Sequence, residues 1–591
     1  MVGLLWACAF PRPGLAGAAW LAPGLLWLVS AASPAHGGRF RSGWIAGFAF
    51  AITALYWLLY IPFPAGAVPG WLALSAYVAV YPAIWCWLMS RMTTALLGKA
   101  ARRRMRDLIE TMDSDTSAAQ QPLDAVTPAR TWASVAGLSW FQRASLALFG
   151  AATWAALEIV QGRFLSGFPW NFLGVSQYQL LPLIQVAKWT GVYGVSFLVV
   201  WGSMALAIAV TGAWVRLQGH RKSLAAANAG FGPHVEAGQE ASTTPGSSKT
   251  SLLEDLAVPI FVMVVLVMQG VAQLRTPRPS RGELKIALIQ PSIPQRLIFD
   301  PAENGSRFKT LLELTELALA TKPSLVVWPE ASLPNFEESH YVALTNLVSK
   351  HHVWMVFGAD DALPSTTSND PARYDWFNAA FLLNPRGFPV ARYHKQRLVI
   401  FGEYVPLARW LPILGRLTPI QGGFATGKGP VPFRLGENGP VFSVLICFED
   451  TFPHGARSHA DDDTDFLLNL TNDGWFGESA AQWQQAAISV FRALETGKTL
   501  VRCTNNGLTC WIDPSGGMHD VGPPEDVYAA GFKSVSIPLP AKSGEPVPRT
   551  FYVRRGDLFG WSCLGASTLW LGFLGGFPRK RACPNLQPGL G

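Results

Sequence analysis

The chain is short of charge. Asp, Glu, Lys and Arg make up 15% of its 591 residues, whereas a soluble globular domain carries about 25%. Set beside 50% hydrophobic residues and 24 tryptophans, that deficit excludes an ordinary soluble protein and points to the membrane. Cysteine is also sparse. The seven cysteines, at 8, 86, 447, 503, 510, 563 and 583, contain no CxxC pair and no His/Cys spacing, which argues against a zinc site or a disulfide scaffold. The opening run "MVGLLWACAF" has neither a basic flank nor a small-residue cleavage site, so it does not read as a signal peptide. It reads as a truncated first helix, or as a chain whose true start lies upstream. The net charge of +8 would suit nucleic acid, but the placement of the basic residues gives them another use.

Apolar runs lie near 14–33, 44–63, 68–90, 144–162, 190–212, 256–274 and 558–577, and a bilayer-spanning helix needs about 20 apolar residues. Arg39 and Arg41 follow one span. Arg91, Lys99, Arg102, Arg103, Arg104 and Arg106 follow another. Arg216, Arg221 and Lys222, then Arg579, Lys580 and Arg581, follow two more. If the opening run counts as a span, every cluster falls on one side, and that side is cytoplasmic. The expected organisation is a helical membrane bundle over 1–274 with about seven spans and cytoplasmic loops at 91–143 and 213–256. An extracytoplasmic domain follows over 275–550, then a final helix and cytoplasmic tail over 551–591. The basic residues mark the inner face, so no nucleic-acid partner is expected. The stretches 107–131 and 234–251 are polar and read as disordered.

Residues 275–550 carry strand signals at 284–291, 324–330, 353–360, 376–385, 442–450, 465–473 and 499–512, and a short one near 388–393. Helical patterns intervene at 307–320 and 483–498. Such alternation indicates a layered α/β fold. Several strands end in chemistry-bearing residues: Glu330 in "LVVWPE", Lys395 after the short strand, and Cys447 in "VFSVLICFED". A free thiol is only a few per cent thiolate at neutral pH. A carboxylate can take its proton, and an ammonium can hold the oxyanion of a tetrahedral intermediate. Acyl transfer through a thioester needs these three groups and neither metal nor organic cofactor. Cys447 as a mere core thiol is the plainer alternative.

"WPE", "YHKQRLVIFGEYVP", "CFED" and "TNDGWFG" resemble, in order and spacing, the signature stretches of the nitrilase (carbon–nitrogen hydrolase) superfamily. With many spans, and with "LWACAFPRPG", "SGFPWNFLGVSQ" and "TFYVRRGDLFGW", the whole chain resembles its apolipoprotein N-acyltransferase family. The resemblance implies an αββα sandwich with Glu330 as general base, Lys395 as oxyanion stabiliser and Cys447 as nucleophile. Arg392 and Arg397 lie near Lys395, but only Lys395 matches the pattern. The resemblance places Glu403 beside the lysine and the attacking amine, and Glu449 two residues past the nucleophile. Each of these takes part in the chemistry or holds a loop. Phe448 stands where the family often has Tyr, and Phe299 where it commonly has Trp; with Trp475 they are expected to line the lipid pocket, although Trp475 is equally a core residue. The implied partners are a phospholipid acyl donor and a diacylglyceryl-lipoprotein acceptor. The implied setting is the bacterial inner membrane, with a monomeric enzyme whose catalytic domain faces the periplasm. A membrane-tethered amide hydrolase is the alternative. Cys503 and Cys510 flank a hairpin signal and read as two buried thiols. Glu158, near a span end, is expected to pair with Arg163 or to snorkel.

Overall fold

The computed structural model describes residues 1–31, 36–111, 128–228, 252–298, 300–334, 337–365, 373–406, 423–523, 527–541 and 549–574. A helical region comes first, a two-sheet α/β unit follows, and the last described element is the apolar helix Leu558–Leu574. Among the described residues four helices are long and apolar enough to cross a membrane: Pro64–Gly98, Trp140–Gln161, Val192–Arg221 and Leu253–Arg275. Two shorter apolar helices are Ala16–Ala31 and Leu558–Phe573.

The remaining apolar runs differ from expectation. The opening run forms only Val2–Ala7, and 14–33 divides into a 3₁₀ turn (Ala16–Trp20) and the helix Ala22–Ala31. The run at 44–63 becomes the helix His36–Ala54 and a 3₁₀ turn, Tyr56–Tyr60. One continuous helix, Pro64–Thr111, carries both the span at 68–90 and the basic run after it. Ala, Leu, Met, Arg and Lys are all strong helix formers, so the helix does not stop where its apolar stretch does. Residues 107–111 and 128–131 of the expected disordered loop are therefore helical, while 112–127 and 234–251 lie outside the described residues.

The α/β unit has two six-stranded sheets. The first contains β1 (Ser280–Gln290), β2 (Leu325–Val327), β3 (Trp354–Pro364), β4 (Tyr374–Leu383) and β5 (Pro389–His394). The second contains β6 (Pro432–Arg434), β7 (Val441–Ile446), β8 (Phe466–Thr471), β9 (Thr499–Thr504), β10 (Cys510–Ile512) and β11 (Met518–His519), while β12 (Gly531–Pro540) returns to pair with β1. β1, β2 and β3 are parallel in one sheet, and β7, β8 and β9 in the other. Each trio is flanked by antiparallel strands.

The inner faces meet through Ile286, Leu288, Val327 and Val356 on one side and Val444, Ile446, Leu468 and Val501 on the other. The helices Asn304–Leu319 and Glu338–His351 cover the outer face of the first sheet. The helix Ala481–Thr496 covers the second, and all its residues but Trp483 are buried. The expected αββα sandwich is therefore the fold observed. Period-2 alternation accounts for it: Leu445 and Leu467 face the helix, while their strand neighbours face the other sheet.

The helix Ala481–Thr496 is buried because the membrane helices pack on its other side. Its Gln484 accepts from Trp57 Nε1 (3.1 Å) and Trp170 Nε1 (2.7 Å), and donates to the carbonyls of Pro11 (3.0 Å) and Ala54 (3.2 Å). Glu495 accepts from the amide of Val192 at 2.8 Å. One glutamine thus ties three separate segments of the helical region to the sandwich.

Candidate active site

Glu330 and Cys447 each follow a strand of a parallel trio, β2 and β7, and Lys395 follows the edge strand β5 of the first sheet. Glu330 comes after β2. The Trp328 amide continues the ladder to Val356 O (2.8 Å), and its indole donates to Thr315 Oγ1 (2.9 Å). The backbone of Glu330 lies against Gly358, where a Cβ would sit 2.7 Å from Pro329 O and 2.9 Å from Glu330 Cα; only glycine fits there. Lys395 comes after β5, its amide still bonded to Asn378 O at 2.9 Å.

These elements converge on a buried ring of four side chains. Lys395 Nζ donates to Glu330 Oε1 (3.0 Å) and Glu403 Oε1 (2.9 Å). Asn378 Nδ2 donates to the same two oxygens, each at 2.8 Å. The outer oxygens are held by backbone: Glu330 Oε2 by Asn472 N (3.1 Å), and Glu403 Oε2 by Val399 N (2.8 Å). Lys395 is 1% exposed. Burial works against its charge, but Glu330, then Glu403 and the Cys447 sulfur, outweigh it and hold the ammonium well above its ordinary range. A lysine fixed as a cation in a dry site suits electrostatic stabilisation of an oxyanion.

Cys447 opens the 3₁₀ turn Cys447–Thr451 immediately after β7, with φ +52°. The left-handed region is uncommon for a residue with a side chain and persists where surroundings over-determine it. Here they do. The Cys447 carbonyl accepts from Asn469 Nδ2 and Gln485 Nε2, both at 3.1 Å. Asp450, in the same turn, is fully buried and accepts from Arg502 Nη1 (2.5 Å), Ser489 Oγ (2.5 Å) and Gln485 Nε2 (3.0 Å).

The residue keeps a partly accessible surface. Burial of the thiol, then the negative charge of Glu330, raise its pKa well above the usual value; Lys395 pulls the other way and Asp473 adds to the rise. The resting sulfur is thus a thiol beside a carboxylate, the arrangement general-base activation requires. Among the described residues no His/Cys/Asp/Glu group is arranged to hold a metal.

Glu449 bridges two segments through backbone amides. Its Oε1 accepts from the amides of Gln396 (2.7 Å) and Arg397 (3.1 Å), its Oε2 from the amide of Ile446 (2.7 Å), and Tyr393 OH lies 2.9 Å from both oxygens. It therefore clamps the loop of Lys395 to the strand of Cys447. Burial nonetheless raises its pKa, with the backbone donors and Lys395 opposing that rise. Phe448 stacks on Phe168 and Trp170 (centroids 6.2 Å from each) and meets Phe452 edge-on at 5.1 Å. The "SGFPWNFLG" loop thus reaches the residue beside the nucleophile. Trp475 is half-buried in the turn Asp473–Phe476, and Phe299 lies outside the described residues.

Asn472 caps that turn through Gly474 N (3.2 Å). Asp473 is fully buried, with Arg502 Nη2 at 3.8 Å, and burial above all lifts its pKa to about 7. Cys503 and Cys510 are buried free thiols.

The expected Glu158–Arg163 pair does not form. Glu158 is buried and accepts from Leu173 N (2.7 Å) and Trp154 Nε1 (3.0 Å). The helix ends at Gln161, and Arg163 turns away to pair with Asp557. Sequence reasoning also missed Asn378, Tyr393, the Asp450–Arg502 pair and Asp360. Asp360 lies opposite Asn378 on β3; burial, then the charges of Glu403 and Glu330, lift its pKa to about 7. The one signal for Asn378 and Arg502 was a polar residue inside an apolar strand.

A strand-end thiol beside buried Glu and Lys, on an αββα sandwich packed against apolar helices, defines a membrane-associated protein of the carbon–nitrogen hydrolase class. Residues 285–526 match the Carbon-nitrogen hydrolase family. Residues 2–106 and 122–205 match the apolipoprotein N-acyltransferase N-terminal domain. The chain is 30% identical over 578 residues to the apolipoprotein N-acyltransferase of Geobacter metallireducens, covering 96% of this chain and 92% of that one. It is 28% identical over 528 residues to that of Vibrio vulnificus, covering 84% of each. A solved nitrilase-superfamily amidase from Nesterenkonia is 16% identical with a TM-score of 0.32, covering 44% of this chain and 94% of that one. The chain belongs to the apolipoprotein N-acyltransferase family.

Proposed function

We propose that the protein transfers a fatty acyl chain from a phospholipid to the α-amine of a diacylglyceryl-cysteine at the amino terminus of a lipoprotein, with Glu330, Lys395 and Cys447 as the catalytic residues. Glu330 takes the thiol proton as the sulfur attacks the ester carbonyl, and Lys395 holds the oxyanion. The lysophospholipid leaves with the proton that Glu330 returns, and Cys447 keeps the acyl group as a thioester. The lipoprotein amine then attacks, gives up a proton through Glu330, and the thiol is regenerated. Glu403 and Asn378 hold Glu330 and Lys395 in register, and Phe448 and Trp475 flank the acyl chain. The observation that carries this reading is the buried Glu330–Lys395–Glu403–Asn378 ring beside a strained Cys447, joined to the membrane helices through Phe448 and Trp170. Both substrates live in the bilayer, so the contact between site and bundle gives the helices a purpose.

We further place the enzyme in the inner membrane as a monomer, with 275–550 on the periplasmic side. The support is the one-sided distribution of basic residues: six Lys or Arg within 91–106 and none between Phe164 and Ala187. A reporter fused near residue 420 should report the periplasm, and reporters at 107–131 and 234–251 the cytoplasm. A cytoplasmic signal from the first would sink the orientation. The chemistry is tested with a labelled phospholipid and a synthetic diacylglyceryl-cysteine peptide: label in an amide on the peptide is expected. Label released only as free fatty acid would favour a tethered amidase.

A further inference from the structure

Arg397 is placed unlike three guanidiniums of the same domain and its membrane flank. Arg163, Arg492 and Arg502 pair with Asp557, Glu495 and Asp450. The Arg397 guanidinium makes no ion pair among the described residues, and it is exposed. Two contacts fix it. Nη2 donates to His454 Nε2 at 3.1 Å, and the guanidinium lies 5.4 Å over the ring of Phe452. His454 is neutral there, since burial, then the charges of Arg163 and Arg397, lower its pKa to about 4. It serves as an acceptor and adds no charge of its own.

The position relates directly to the site. Arg397 is two residues beyond Lys395, and its amide is bound by Glu449 (3.1 Å). Phe452, beneath the guanidinium, meets Phe448 at 5.1 Å, and Phe448 follows the nucleophile. One aromatic layer therefore separates the guanidinium from the residue beside Cys447. The same loop reaches the membrane side, where Tyr404 OH lies 3.3 Å from Ser166 Oγ. Phe164 (56%), Leu165 (66%), Ile400 (38%) and Trp561 (47%) are exposed apolar side chains from segments that flank it. A guanidinium with no ion pair among the described residues, at the edge of exposed apolar and aromatic surface, is suited to a lipid's interfacial anion.

Resting on the acyltransferase reading above, we infer that Arg397, held by His454 and Phe452, binds the phosphodiester of the phospholipid donor while its ester reaches Cys447. The diacylglyceryl acceptor carries no phosphate, so this contact selects the donor in the first half-reaction and leaves the second untouched. The phosphodiester stays intact throughout; only the acyl ester is exchanged.

The test compares acylation of Cys447 in the full-length protein by two donors: a diacyl phospholipid in detergent micelles, and the phosphate-free p-nitrophenyl ester of the same fatty acid. Arg397→Gln should lower kcat/KM for the phospholipid by roughly ten- to a hundredfold, the scale of one charge-assisted hydrogen bond. The loss should be at least about tenfold smaller for the phosphate-free ester, and Arg397→Lys should recover most of the difference. Equal losses with both donors, or none with the phospholipid, would overturn the assignment. Inhibition of the wild type by millimolar inorganic phosphate that vanishes in R397Q would assign the site to a free anion and overturn the lipid assignment. A wild type that is acylated by neither donor would overturn the acyltransferase reading itself.

Discussion

Replacing Glu449 by Gln changes one oxygen to an amino group and little else in shape, yet the surroundings leave no tolerable orientation for it. One carboxylate oxygen accepts two backbone amides, from Gln396 and Arg397, the other accepts the Ile446 amide, and Tyr393 OH reaches both. Whichever way the new amide points, at least one backbone N–H faces an NH₂ and loses its acceptor. A buried donor left unsatisfied costs about 1–3 kcal/mol, and the remaining bonds fall from charge-assisted to neutral strength. A total of about 2–4 kcal/mol follows on those figures, lost from the joint between the Lys395 loop and the Cys447 turn.

If Glu449 is a clamp, stability and catalysis should fall together. E449Q should lose activity on mild heating well before the wild type, and thioester formation, followed by intact-protein mass after rapid mixing with phospholipid, should slow by about 10²-fold or more, since small misplacements of reacting groups cost that much. Tyr393→Phe, which removes one donor to Glu449 and an acceptor of the Gln396 side chain but strands no backbone amide, should do less on both counts. Retained stability together with a collapse of acylation would refute the clamp and make Glu449 a chemical participant.

Glu330→Gln should cut the acylation rate by about 10²–10⁴, the usual worth of a general base, with the protein still folded by gel filtration. Lys395→Met should remove about 3–4 kcal/mol of oxyanion stabilisation and, because it strands two buried carboxylates, should also unfold more readily; normal thioester in either variant contradicts the roles assigned. Asp473 and Glu330 both oppose ionisation of the Cys447 thiol, so Asp473→Asn should lower its pKa and speed alkylation by iodoacetamide at a fixed pH; slower or unchanged alkylation would show that this field does not reach the sulfur. Gln484→Leu strips acceptors from two indoles and donors from two carbonyls, and at about 1 kcal/mol or more per stranded group should shorten the thermal half-life markedly, which activity decay at raised temperature measures.

Those residues differ in how readable they were from sequence. Glu330, Lys395 and Cys447 stood out because each follows a strand, apolar before Glu330 and Cys447, and falls within a recognisable stretch, and the long strands and the αββα layering followed from alternation. β6 and β11, with 3 and 2 residues, are too short to show a period, and β12 has a burial pattern with several exposed or partial positions. Asn378 and Arg502 looked like stray polar residues in strands because their partners arrive from 48 and 52 residues away. Glu158 was misjudged for a local reason. Proximity in sequence suggested Arg163, but the chain turns at Gly162 and the carboxylate binds the returning amide of Leu173 instead. The membrane helices were legible as apolar runs, yet their ends were not, since helix propensity carries Pro64–Thr111 past its apolar portion.

The central claim is that Cys447 carries the acyl group. Purified wild-type protein incubated with a phospholipid of defined chain and no acceptor should gain the mass of one acyl group, located to the peptide containing Cys447 and released by hydroxylamine or by the diacylglyceryl-cysteine peptide. Cys447→Ala should fold, insert and gain nothing, with Cys503 and Cys510 unable to substitute because both are buried. An unmodified wild type that still acylates the peptide, or a C447A variant transferring at more than about a hundredth of the wild-type rate, would contradict the account.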